Sequence, residues 1–193
     1  MVNKKQLSDE AWWFLKNVQR LQDDFAESIG AQIVMTDKNG DLITEMSGQM
    51  EVCKNFIQKT EEGKKNCTDT YHTALDMIKT TKEPVLMDCF AGYASLWIPV
   101  KNKKGEIVGS ITGCGGRFNR GESEEEVREK LKKLADETSM DLGEDYLDVA
   151  ISDVKSVTEE EMKTRAERLS KLVGVLAEET ALSEAFAVGG EEW

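Results

Sequence analysis

The chain has 193 residues and four cysteines, and a formal net charge of −12. That length fits one domain with helical extensions, and the acidic balance argues against nucleic acid and anionic lipid, both of which need clustered Lys and Arg. The N-terminal residues lack a signal-peptide core and no stretch approaches a membrane span, so a cytoplasmic address with reduced thiols is the expectation.

Ser8, followed by Asp9 and Glu10, reads as the N-cap of an amphipathic helix carrying Trp12, Leu15, Val18, Leu21, Phe25 and Ile29 and ending near Gly30. Trp12 and Trp13 cannot both face one core stripe, so one either contacts a partner or forms an ordinary helix-end contact. Two β-prone runs, 32–37 and 42–46, flank Asn39-Gly40, which predicts a tight hairpin. A helix with Val52, Cys53, Phe56 and Ile57 on one face follows, broken at Glu61-Glu62-Gly63. A second helix begins at Lys64 and places Cys67 and Tyr71 one turn apart. Lys64, Lys65 and the helix dipole are candidates to lower the Cys67 pKa, against the alternative that Cys67 is a small core residue; His72 reads as a surface residue.

Pro84 opens a strand reaching Cys89, Ala91-Gly92 turns, and a second strand runs from Tyr93 to Val100. The last strand starts at Ile107 and is rich in glycine, with Gly109, Gly113, Gly115 and Gly116 permitting a close approach of backbone or ligand. Capping boxes at Ser123–Glu126 and Thr158–Glu161 open helices, with Tyr146, Leu147, Ala150 and Ile151 forming a short amphipathic piece between them. The final helix carries Met162, Leu169, Leu172, Val173, Leu176 and Ala177 and runs toward Ala187, as a surface either for a partner helix or for its own sheet.

Five short, mostly antiparallel strands with helices on one side make an α+β domain of a kind that encloses a small-ligand cavity. The expected divisions are an N-terminal helix at 1–30, an α+β core at 31–120, its helical part at 121–157 and a C-terminal helix at 158–193 for signalling or dimerisation. Catalytic residues are not expected: the chain has one histidine and no Gly-x-Ser-x-Gly elbow. Cys53, Cys67, Cys89 and Cys114 come from separate elements and converge only through the tertiary fold. Phe56, Cys89, Tyr93, Trp97 and Cys114, with Cys53 and Cys67, supply apolar walls and polar handles for a ligand. The alternative is a site in which Cys53, Cys67, Cys89 and Cys114 hold zinc, or iron in a cluster or haem setting.

The stretch from about Ile29 to Gly116 resembles the sensory domain found in PocR, the propanediol-utilisation regulator. The resemblance rests on the hairpin Ile33-Val-Met-Thr-Asp-Lys-Asn-Gly-Asp-Leu-Ile-Thr44, on Cys53 before Phe56-Ile57, and on Glu62-Gly-Lys-Lys-Asn-Cys67-Thr-Asp69. It continues through Glu83-Pro84-Val, Cys89-Phe-Ala-Gly92, Ile98-Pro99 and Ile107-Val-Gly-Ser-Ile-Thr-Gly113. It implies a PAS-like ligand-sensing fold, a small-molecule ligand such as a diol, and no enzymatic role. Cys53, Cys67 and Cys89 match recurrent cysteines, whereas Phe90 stands where the family has His and Cys114 near a usual Gln. No output module follows in this chain, so the domain is expected to act alone, to signal through its last helix to a partner or a second copy, or to be an excised input domain.

Overall fold

A computed structural model of the chain describes residues 6–140, 142, 143, 145–152, 154–176 and 186. Helix α1, Asp9–Ile29, is capped by Ser8, whose hydroxyl accepts from the Ala11 N–H at 3.2 Å, and closes on Gly30 in the left-handed conformation with φ 59°. Strand β1, Gln32–Asp37, leads through a turn in which the Asp37 carboxylate accepts from the N–H groups of Asn39 and Asp41. Only Gly40 has positive φ there, so the turn is an Asp-braced loop rather than the two-residue Asn-Gly type.

The return segment 42–47 lies antiparallel to β1, with Ile33 and Ser47 exchanging backbone hydrogen bonds at 2.9 Å, but it is not a regular strand. The Met35 N–H donates to the Thr44 hydroxyl instead of to a carbonyl, which interrupts the ladder. Gln22 of α1 holds that irregular segment: its amide donates to Ile33 O, Glu45 O and Ser47 Oγ, and its carbonyl accepts from Thr44 Oγ1. The expected fifth strand is thus replaced by a segment pinned through side chains.

Helix α2, Glu51–Asn55, continues into a 3-10 turn, Ile57–Lys59, and helix α3, Glu61–Thr81, follows directly. Gly63 does not break the helix, contrary to expectation. Thr60 caps α3 by accepting from the Gly63 N–H, and a side chain at Gly63 would collide with the Ile57 carbonyl, so the glycine lets the 3-10 turn close onto the helix.

Strands β2, Val85–Asp88, β3, Ala94–Lys101, and β4, Ile107–Cys114, complete an antiparallel sheet of order β1-β4-β3-β2. A second, parallel pair joins β5, Arg117–Phe118, to β6, Ser156–Val157. Helices α4, Glu124–Glu137, and α5, Asp145–Ser152, lie between them, and α6, Glu159–Leu176, closes the described chain. The Ser123–Glu126 capping box is present, and Thr158 and Glu161 make the equivalent exchange. Among the described residues no helix is long and apolar enough to cross a membrane.

Helices cover both faces of the sheet, not one. Ile33, Met35, Leu96, Ile98 and Ile111 pack with Leu15 and Val18 of α1 and Met162, Ala166 and Leu169 of α6. Val34, Val85 and Trp97, pointing the other way, pack with Tyr71, Ala74 and Ile78 of α3. Apolar residues occur at both parities of β1 and β3, so each face has to be covered. The last helix therefore packs on its own sheet through the residues described. Its expected stripe at Leu172, Val173, Leu176 and Ala177 and its run toward Ala187 lie outside the described side chains, Phe186 excepted.

The glycines of β4 admit this packing. A side chain at Gly109 would strike Phe186, and Leu169 lies 3.8 Å from the position of a Cβ at Gly113. At Gly115 a Cβ would stand 2.5 Å from the Ala31 Cβ and 2.7 Å from its Cα. Gly115→Ala is therefore expected to destabilise the fold by about 2 kcal/mol through overpacking against backbone. Urea denaturation of the variant and the parent checks this, and an unchanged midpoint would contradict it.

Candidate functional site

The four cysteines meet at one chamber between α3 and the sheet. Gln32 opens β1 and Cys114 ends β4, and the antiparallel register sets them directly opposite each other on the face that carries Trp97. Cys67, Thr70 and Tyr71 of α3 form the facing wall. Met50, Cys53, Ile57 and Gln58, from α2 and the 3-10 turn, close one side; Cys89, Phe90 and Tyr93, from the turn after β2, close another. That turn is held by Cys89 N–H to Tyr93 O at 2.7 Å and Gly92 N–H to Cys89 O at 2.8 Å, with Gly92 at φ 78°.

Cys53, Cys67, Cys89, Tyr93, Trp97 and Cys114 are thus brought together, as their convergence requires. Phe56 is not among the chamber walls; its ring packs edge-on against Tyr146 at 5.8 Å. Asp88 points out to Arg120, with a 2.7 Å ion pair. Tyr71 and Phe90, noted in the sequence but not as walls, and Gln32, Gln58 and Thr70 complete the lining. For Tyr71 the usable signal was its one-turn spacing from Cys67, whereas Gln32 reaches the chamber only through its register opposite Cys114.

The chamber encloses about 30 Å³, and its walls carry unsatisfied polar atoms. Tyr71 and Gln32 are each only 6 % exposed, yet the Tyr71 hydroxyl and the Gln32 Oε1 have no hydrogen-bond partner among the described residues. The Gln32 amide nitrogen reaches only the Met46 sulfur, at 3.7 Å. By contrast the Trp97 indole N–H donates to Ser95 Oγ at 3.0 Å, and that hydroxyl in turn donates to Met87 O. The Tyr93 and Tyr146 hydroxyls lie 3.3 Å apart. An unsatisfied buried polar group costs about 1–3 kcal/mol, so two at one chamber describe a place shaped for an occupant that hydrogen-bonds.

Cys67, Cys89 and Cys114 stay protonated at ordinary pH. Burial, and then the neighbouring Cys89, pushes Cys67 up to about 11, only partly offset by a hydrogen bond from Gln58. Cys89 and Cys114 are raised chiefly by burial as well. Of the two readings of Cys67, the lowered pKa does not hold: Cys67 lies almost two turns inside α3, and Lys64 is engaged by Glu61 at 2.6 Å. None of the four cysteines is half of a disulfide. Among the described residues no three His, Cys, Asp or Glu side chains form a group that could hold a metal ion.

The chamber adjoins a larger groove of about 450 Å³, open to solvent and walled by the hairpin at Gly40–Met46 and the first turns of α3. Gln58, Cys67 and Tyr71 line both spaces.

The model of the sensory domain found in PocR matches residues 14–181, a span that contains every residue lining the chamber. None of the curated proteins matches the chain.

A thiol held near 11 has about a hundredfold less thiolate at pH 8 than one at the ordinary value of 9. Iodoacetamide alkylation of Cys67 is therefore expected to be slow at pH 8 and to rise tenfold per pH unit to about pH 10. Peptide mass spectrometry over a pH series measures it; a plateau below pH 9 would contradict the protected thiol.

Proposed function

Because the chain belongs to the family of sensory domains found in PocR, we propose that it receives a small uncharged molecule in the thiol-lined chamber and passes on its occupancy as a signal. The observation that carries this reading is the pair of unsatisfied buried groups at the chamber, Gln32 Oε1 and the Tyr71 hydroxyl. Gln32 Oε1 asks for a donor, and the Tyr71 hydroxyl can give or accept, so a hydroxyl or amide satisfies both. The walls are neutral thiols, aromatic rings and amides, with no cation among them, so an ionised carboxylate would enter without a counter-charge. Within the proposed ligand set Cys53, Cys67, Cys89, Tyr93 and Trp97 serve as walls, and the reading involves no catalytic step.

The output path supported best runs through the end of β4. Cys114 lines the chamber, the next carbonyl, Gly115 O, accepts from the Arg165 guanidinium of α6 at 3.1 Å, and Leu169 of α6 lies over Gly113. A ligand that moves Cys114 shifts the seat of α6, which presents the change to a second copy or a signalling partner.

Convergence of four sulfurs also favours a second reading, in which Cys53, Cys67, Cys89 and Cys114 close on zinc or iron. The separation of the thiols stands against it. Metal content and the visible spectrum of protein purified without oxygen decide between the two: about one zinc or several irons per chain would replace the ligand reading.

Tyr71→Phe deletes an unsatisfied buried hydroxyl and keeps the ring. It is expected to raise the stability of the unliganded protein by about 1 kcal/mol and to weaken binding of short alcohols and amides by about tenfold. Thermal melts with and without propanol and propionamide measure both effects. Equal stabilisation of the parent by propionate would contradict the neutral-ligand reading.

A further inference from the structure

We propose that the open groove outside Cys67 and Tyr71 is the second half of the ligand site, so that the ligand is an uncharged amphiphile with a hydrogen-bonding tip in the chamber and an apolar body in the groove. This rests on the chamber being a ligand site and specifies what that ligand must look like.

Size makes the first argument. About 30 Å³ holds a body no larger than a water molecule or two, whereas about 450 Å³ lies in the range of small-molecule pockets. A molecule that satisfies Gln32 and Tyr71 must therefore have its remaining atoms elsewhere, and the groove is the adjoining space.

Only a thin septum separates the two spaces. Gln58, Cys67 and Tyr71 face both, and the hydrogen bond from Gln58 to Cys67 bridges the septum. Gln58 sits on the three-residue 3-10 turn between α2 and α3, a short and poorly bonded form of helix that yields more readily than α3 itself. Turning the Gln58 side chain away joins chamber to groove without unpacking Tyr71 from Trp97.

The chemistry of the groove sets the class of ligand. Leu42, Met46 and the Tyr71 ring are its apolar walls. The Thr68 hydroxyl is already committed to the Lys64 carbonyl at 3.1 Å, and the Lys64 ammonium to Glu61. Asp41 adds a negative charge, so no surplus positive charge exists to hold a carboxylate or phosphate. An aliphatic or aromatic body without charge gains most there.

The test is calorimetric titration of the protein with straight-chain primary alkanols from ethanol to octanol. Affinity is expected to rise about threefold to fourfold per added methylene through the middle of the series. The rise should persist in Thr68→Ala and flatten in Thr68→Trp, where an indole on the exposed side of α3 fills the groove. Octanol is also expected to slow alkylation of Cys67 in the parent more than ethanol does at equal occupancy, a readout independent of whether Thr68→Trp folds. Short alkanols binding with no dependence on chain length would overturn the groove and leave the chamber reading standing. The same rise in Thr68→Trp as in the parent, or no protection of Cys67, would also overturn it. Failure of every alkanol to bind would remove the chamber reading along with it.

Discussion

The edge-to-face contact of Tyr71 with Trp97, ring centroids 4.7 Å apart at 89°, is the joint on which the rest of this structure turns. Trp97 is fully buried in β3 and is itself held by Ser95, so the indole cannot adjust to its neighbours. Tyr71 must then stand against it in one orientation, which aims its hydroxyl at a place where nothing accepts or donates. The contact also sets how far α3 stands from the sheet. Cys67, one turn earlier on α3, is carried to the chamber wall by the same docking. A pair of large aromatics contributes strongly to the core, and that gain offsets the unsatisfied hydroxyl it creates.

A sheet covered on both faces sets the chamber on one side and α6 on the other. Residues of β4 alternate between the chamber side, where Cys114 lies, and the α6 side, where Gly109 and Gly113 leave room for Phe186 and Leu169. A strand only one backbone thick separates the chamber from α6. Close packing at Gly115 against Ala31 and at Gly116 against Val157 means that this end of the strand has little slack to absorb a displacement. The Arg165 guanidinium, donating to Gly115 O, ties this end of the strand to α6.

Much of this fold was legible because its local signals are strong: Ser8, Ser123 and Thr158 as caps, Gly30 as a stop, and the β-prone runs of β3 and β4. The convergence of the cysteines was legible only as a demand on the topology. Placing Gln32 at the chamber needed the register of β1 on β4, which no local pattern encodes. The two residues each of β5 and β6 are too short to show any alternation. The irregular return after β1 looks like a strand from its apolar residues, yet Thr44 and Gln22 supply side-chain hydrogen bonds where a ladder would have supplied backbone ones. Covering the second face was readable in principle, since Val34 and Trp97 sit at the opposite parity from Ile33 and Ile98. Sequence left two readings of Cys67 open, and desolvation of the sulfur decides between them, because a lysine nearby in sequence counts for little when it is exposed and paired.

That desolvation bears on how four converging cysteines are to be read. A thiolate cluster needs nearby positive charge or a metal to compensate it, and burial here works in the opposite direction, keeping the sulfurs protonated. A protonated thiol is a small, polarizable, weakly hydrogen-bonding group, closer to a methyl than to a base. Under the proposed reading, thiols around two unsatisfied polar atoms make a surface that is apolar and soft enough to fit varied shapes. Directionality would then reside in Gln32 and Tyr71. The cysteines would act as the lining, with selectivity set by the amide and phenol that the lining leaves unsatisfied.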